Sequence, residues 1–132
     1  MKKLIRSTIP VFLLLCALVG NLLVAQASEV MPLYTGITTL ASGLTISDAG
    51  KATCEGTALL RSGYTADVTV ELKRDGTTIK TWTDSGSMKV TAGGIYYVVS
   101  GHTYVVTTTA DVYDSDGNWV ATYSKNSLTK DY

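Results

Sequence analysis

Few side chains in this sequence have the types needed for covalent chemistry, and their spacing does not bring them together. His102 is the one histidine and follows directly on the Ser100-Gly101 break. A nucleophilic Cys54 would need it as an adjacent base. Alternation instead places Cys54 on the core face of its strand, and no Asp or Asn stands obviously near His102 to orient it. The expectation is a partly exposed loop histidine, a buried thiol that behaves as a small hydrophobe, and no enzyme. Asp114-Ser115-Asp116-Gly117-Asn118 has oxygen side chains at alternate positions, like the start of a calcium loop. The bidentate Glu that completes such a loop does not follow. A tight hairpin wants the same residues. Asp114, Asp116 and Asn118 are therefore weak metal candidates, and no cofactor is expected.

Non-covalent recognition has better candidates. With residues 115–117 as a three-residue loop and Gly117 left-handed, Tyr113 faces Trp119 and Asp111 faces Ala121. That register puts Trp119 and Tyr123 on the outside of a sheet. A four-residue loop would shift it by one and send Trp119 into the core beside Val112. A two-residue turn at Asp75-Gly76 turns Trp82 outward as well, opposite Thr69. Trp82, Tyr113, Trp119 and Tyr123 would then share an outer face amid Thr69, Thr107 and Thr109. Exposed aromatics on a flat polar sheet stack on sugar rings or anchor a protein partner. The plainer alternative is that they cover neighbouring strands. Trp82 would also stand about 10–15 Å from Tyr113 at the usual strand spacing.

Strands must position all of these groups. Residues 44–47 alternate apolar and polar, and Asp48-Ala49-Gly50 makes a three-residue loop pairing Ser47 with Lys51. Ile46 then faces Ala52, and Leu44 faces Cys54. Ahead of this, residues 28–43 read as a lead-in. Tyr34 and Ile37 form at most a short edge strand there, since Pro32 argues against more. Val68, Val70 and Leu72 share one face of the next run. Asp75-Gly76 is a primed hairpin turn that sets Leu72 opposite Ile79 and Glu71 opposite Lys80. That exposed ion pair contributes only ~0.2–1 kcal/mol. Ser85-Gly86 breaks the following run, Met88 and Val90 resume the alternation, and Gly93-Gly94 marks a bulge or bend. Residues 95–113 carry the densest β-signal, split at Ser100-Gly101. Residues 119–123 form the last strand and 126–132 a polar tail. No apolar period of 3.6 competes with alternation, so no substantial helix is expected.

About seven short strands with Gly-containing turns imply an all-β, antiparallel two-sheet immunoglobulin-like sandwich over residues 44–125. Tyr104 lies two residues before inward-facing Val106, the spacing of a tyrosine corner. Cys54 holds the second-strand position where antibody domains place half of their disulfide, with Val106 at the matching position. The chain resembles an immunoglobulin-like or fibronectin-III-like sandwich without the disulfide and core Trp. In its leader and in the segments GKATC (residues 50–54) and SGHTYVV (residues 100–106), it also resembles a domain-of-unknown-function family of small secreted proteins from Gram-positive bacteria. That resemblance implies a compartment and a fold, and no catalytic residue.

The compartment follows from the N-terminus. Lys2, Lys3 and Arg6 precede an apolar run at residues 9–19, and Ala25-Gln26-Ala27 provides small residues for cleavage. This is the pattern of a secretory signal peptide, cut after Ala27. The run is too short for a membrane span, and Leu15 before Cys16 argues against a lipid anchor. Cleavage leaves 105 residues, enough for one domain. Losing three of the 11 basic residues leaves 8 against 11 acidic ones, a net charge near −3. Nucleic acid and stable membrane insertion are therefore not expected. Cys54, left alone, has no partner for an internal disulfide. The expected function is that of a secreted, non-catalytic binding module for an extracellular protein or glycan. An assembly protein pairing through its edge strands is the alternative, and a small hydrolase ranks last.

Overall fold

Glycine-containing turns establish the frame. In the computed structural model, which describes residues 34–132, Gly50 takes a φ of 82° between β1 (Ile37–Ile46) and β2 (Lys51–Leu60). Ile46 faces Ala52 and Leu44 faces Cys54, the expected register. Asp75 and Gly76, at φ 50° and 87°, form the primed turn between β3 (Thr65–Arg74) and β4 (Thr77–Ser87). β5 (Lys89–Tyr97), β6 (Thr103–Tyr113), β7 (Trp119–Asn126) and the short β8 (Lys130–Asp131) follow. The expected signal peptide, residues 1–27, lies outside the described residues.

One sheet has the order β1-β2-β5. The other runs β4-β3-β6-β7, with β8 pairing the start of β6. All pairings are antiparallel. The protein is thus an all-β, two-sheet immunoglobulin-like sandwich. Its fourth strand lies beside the third, whereas antibody constant domains place theirs on the opposite sheet. Every second residue of β3 and β6 faces the core: Val68, Val70, Leu72, Val106, Ala110 and Val112 are fully buried. The lone polar residue in this set, Thr108, donates to Ser42 Oγ at 3.0 Å. Ser42 in turn donates to the Val106 carbonyl, so this buried hydroxyl pair is satisfied. Tyr104, also fully buried, donates its phenol hydrogen to the Val99 carbonyl at 2.5 Å. That bond is the tyrosine corner.

In the frame itself, the structure departs from the sequence reading at the start of β1, at the crossing after β4 and at the tail. β1 begins at Ile37, well inside the expected lead-in, and buries both Ile37 and Leu40. A bulge between Ile37 and Thr39 makes this possible, because residues three apart cannot share a face of a regular strand. β4 continues through Ser85-Gly86 to Ser87. The chain then crosses to the other sheet at Met88 alone, which sits at φ 65° and is exposed instead of resuming the inward alternation. The tail is folded: Lys130 and Asp131 pair with Tyr104 and Thr103. The Tyr132 carbonyl accepts from the backbone of Gly101 and His102, and its hydroxyl donates to the Asp48 carbonyl at 3.0 Å.

Candidate functional site

The four aromatics fall into three places, and two β-bulges decide which. The first, at Ile79, shifts the β3–β4 ladder between Leu72 and Lys73. Leu72 consequently faces Lys80, not Ile79, and Val70 faces Trp82. Trp82 therefore shares the inward phase of Val70 at the margin of the core and does not face outward beside Thr69. Lys80 and Asp84 also take that phase. β4 is an edge strand, so their charges still reach solvent, and inward charges on an edge discourage pairing with other chains. Glu71 accepts from Thr78 Oγ1 at 3.0 Å in place of the expected pair with Lys80.

The second bulge, at Val120, follows the β6–β7 turn. The turn itself is as expected: Gly117 has φ 82°, Asp114 pairs with Asn118, and Tyr113 faces Trp119. One residue later the ladder shifts, so Asp111 faces Thr122, not Ala121, and Ala110 faces Tyr123. A regular ladder would have turned Thr122 inward and Tyr123 outward; the bulge reverses both. Tyr123 stacks on Tyr34, with ring centroids 4.6 Å apart and planes at 10°. Its hydroxyl accepts from the Thr35 N–H at 2.7 Å and donates to the Thr35 carbonyl at 3.1 Å. Tyr123 thereby fastens the segment leading into β1.

Tyr113 and Trp119 remain together on the outer face. Trp119 is 60% exposed, yet its indole is held: Nε1 donates to Thr122 Oγ1 at 2.9 Å, and Thr122 donates to Asp111 Oδ1 at 2.5 Å. Beyond this pair the face is polar. Asp67 lies beside Asp111, and Thr83, Thr69, Thr109 and Ser124 form a hydroxyl row across four strands. Partial desolvation, with the charges of Asp67 and Asp111, raises the Tyr113 phenol above its ordinary pKa. The arrangement offers an aromatic platform with carboxylate and hydroxyl acceptors next to it.

The remaining candidates have structural partners. Asp114 Oδ1 accepts from the N–H groups of Asp116 and Asn118, closing the turn on itself. Among the described residues no three His, Cys, Asp or Glu side chains are grouped to hold a metal ion. Cys54 is 2% exposed, and burial pushes its thiol up to about 11. His102 is not without an acidic neighbour: Nδ1 lies 2.6 Å from Asp75 Oδ2, while Asp75 Oδ1 accepts from the Thr103 N–H. These two bonds hold the Asp75 carboxyl below its usual range, the backbone bond contributing most. Sequence reasoning missed the pair because 27 residues separate its members and only the fold brings the β3–β4 turn to the β5–β6 corner. No protein-family model matches the chain, and no curated protein matches it in sequence.

Proposed function

We propose that this protein is a secreted, non-catalytic binding module that recognises an extracellular glycan or protein through the Tyr113–Trp119 platform. The observation that carries the reading is the restrained, exposed indole of Trp119. Ordering a large surface side chain costs conformational entropy that burial does not repay here. A binding surface gains from that ordering, because less freedom is lost when the ligand arrives. The carboxylates and hydroxyls beside it suit a hydroxyl-rich ligand, and the scarcity of cations on that face disfavours a polyanion. The three-part N-terminal pattern supports export. Screening the 105-residue chain against host glycans, cell-wall polymers and co-secreted proteins tests the reading. A ligand whose binding survives Trp119→Ala overturns it.

A second reading, assembly between copies, is favoured by the free edge of β5. Ile95 and Tyr97 are exposed there at alternate positions, with exposed Val99 just past the strand's end, an unusually apolar stripe for an edge strand. Sedimentation at high concentration separates the two readings. A strict monomer removes assembly.

A further inference from the structure

The β4/β5 edge, where the two sheets part, holds a cleft of about 360 Å³ with half-buried Trp82 in its wall. Local features of the chain build it. The bulge at Ile79 gives Trp82 its inward phase. Gly94 lies against the indole: a Cβ there would stand 2.5 Å from Trp82 Nε1. Gly93 has φ 135° and passes so close to the Cys54 carbonyl that no Cβ fits. For two consecutive residues β5 is bare backbone, which lets the Trp82 indole and the Cys54 carbonyl pack directly against it in the wall of the cleft. Thr53, Glu55, Asp84 and Thr91 line it as well, along with Thr83 at the end of the outer-face hydroxyl row. Asp84 accepts from the Ser85 N–H, and the Thr91 hydroxyl is bonded to that of Thr57. Neither carboxylate is in an ion pair among the described residues. The volume lies within the usual range for small-molecule sites.

We infer that this cleft is a binding site for a neutral sugar ring, separate from the Tyr113–Trp119 platform. A sugar presents C–H groups to an indole, and hydroxyls to carboxylates and threonines. An anionic guest would face Glu55 and Asp84 at close range. A cationic guest would meet Lys80, whose ammonium lies 5.9 Å from the Trp82 ring centroid and already answers the attraction of the ring for positive charge. A neutral, hydroxyl-rich guest meets neither obstacle.

The chain contains two tryptophans, so Trp119→Phe leaves Trp82 as the single indole reporter. β-1,4-linked hexamers of glucose, xylose and N-acetylglucosamine are titrated into that variant while its tryptophan emission is followed. The expected result is a saturable change with at least one hexamer. Adding Glu55→Ala, at an exposed position, weakens it by about tenfold or more, since a hydrogen bond to a charged group is lost. Three results overturn the proposal. Emission does not respond to any hexamer at millimolar concentration, or it responds to arginine amide instead, or the response is indifferent to both Glu55→Ala and Asp84→Ala. Because Trp119 is absent from the reporter, the cleft and the outer-face platform stand or fall separately.

Discussion

The two poles of the sandwich are held in opposite ways. At one pole the β1–β2 turn, the β3–β4 turn and the β5–β6 corner are stitched to each other. Tyr104 bonds to Val99, Asp75 reaches both His102 and Thr103, and Tyr132 ties Asp48 to Gly101 and His102. At the other pole the β6–β7 turn closes mainly on itself through Asp114. The cross-links there are backbone bonds from Leu60 to the Met88 carbonyl and from Arg61 to the Gly36 carbonyl, with Tyr123 holding Thr35. Exposed Met88 and Trp119 stand there. The stitched pole has committed its polar groups to internal partners, which stabilises the fold, and leaves exposed mainly the apolar side chains of Tyr97 and Val99 at its margin. The open pole keeps its large side chains available, so stability and binding should separate between the two ends.

The largest effect that separates them lies at the stitched pole. Tyr104→Ala should cost about 3–5 kcal/mol in chemical denaturation, as for other buried aromatics cut to alanine. Tyr104→Phe isolates the corner bond at about 0.5–1.5 kcal/mol. If that variant denatures like the parent, the stitch is not what holds this pole. Next in size is Asp114→Ala, which strips two N–H groups of their acceptor. A loss of roughly 1 kcal/mol is expected, towards the lower end for so exposed a turn.

A smaller effect is confined to acid. The carboxyl of Asp75 sits below its usual 3.8 in the fold. Its contribution is thus present above the unfolded value and disappears as pH falls through the folded one. Thermal midpoints measured through the range below about pH 4 should fall less steeply for Asp75→Asn than for the parent. Parallel curves would remove the Asp75 carboxylate from the account. The smallest stability change belongs to the open pole. Trp119→Ala should shift stability by no more than about 0.5 kcal/mol, as at other surface sites, while ligand binding is lost. A large fall in the midpoint would make Trp119 a structural residue and dissolve the contrast between the poles.

Much of the frame was legible because it is local. Asp75-Gly76 and Gly117 declare their turns through the backbone angles they accept, and the pairing next to each turn follows by counting. Tyr104 and Cys54 were legible from their places in the alternation. The candidate site was only half legible. Counting from Gly117 puts Tyr113 and Trp119 together, whereas extending a regular ladder past a bulge puts Trp82 and Tyr123 on a face they do not occupy. Ile37 and Leu40 were hidden for a related reason, their spacing of three being no strand period. Nothing near His102 in sequence signals Asp75.

What the sequence determined by itself, then, is the class of fold, the turns at Gly50, Asp75-Gly76 and Gly117, and the alternating core of β3 and β6, while it favoured the exposed indole at the start of β7 without excluding a buried one. These depend on neighbours a few residues away. Tertiary structure alone decided where Ile79 and Val120 are inserted, and with them which way Trp82 and Tyr123 point. A bulge settles where the sum of apolar side chains buried and polar ones released is best across a whole sheet. That sum includes residues of strands far away in the chain, and no count along one strand contains it.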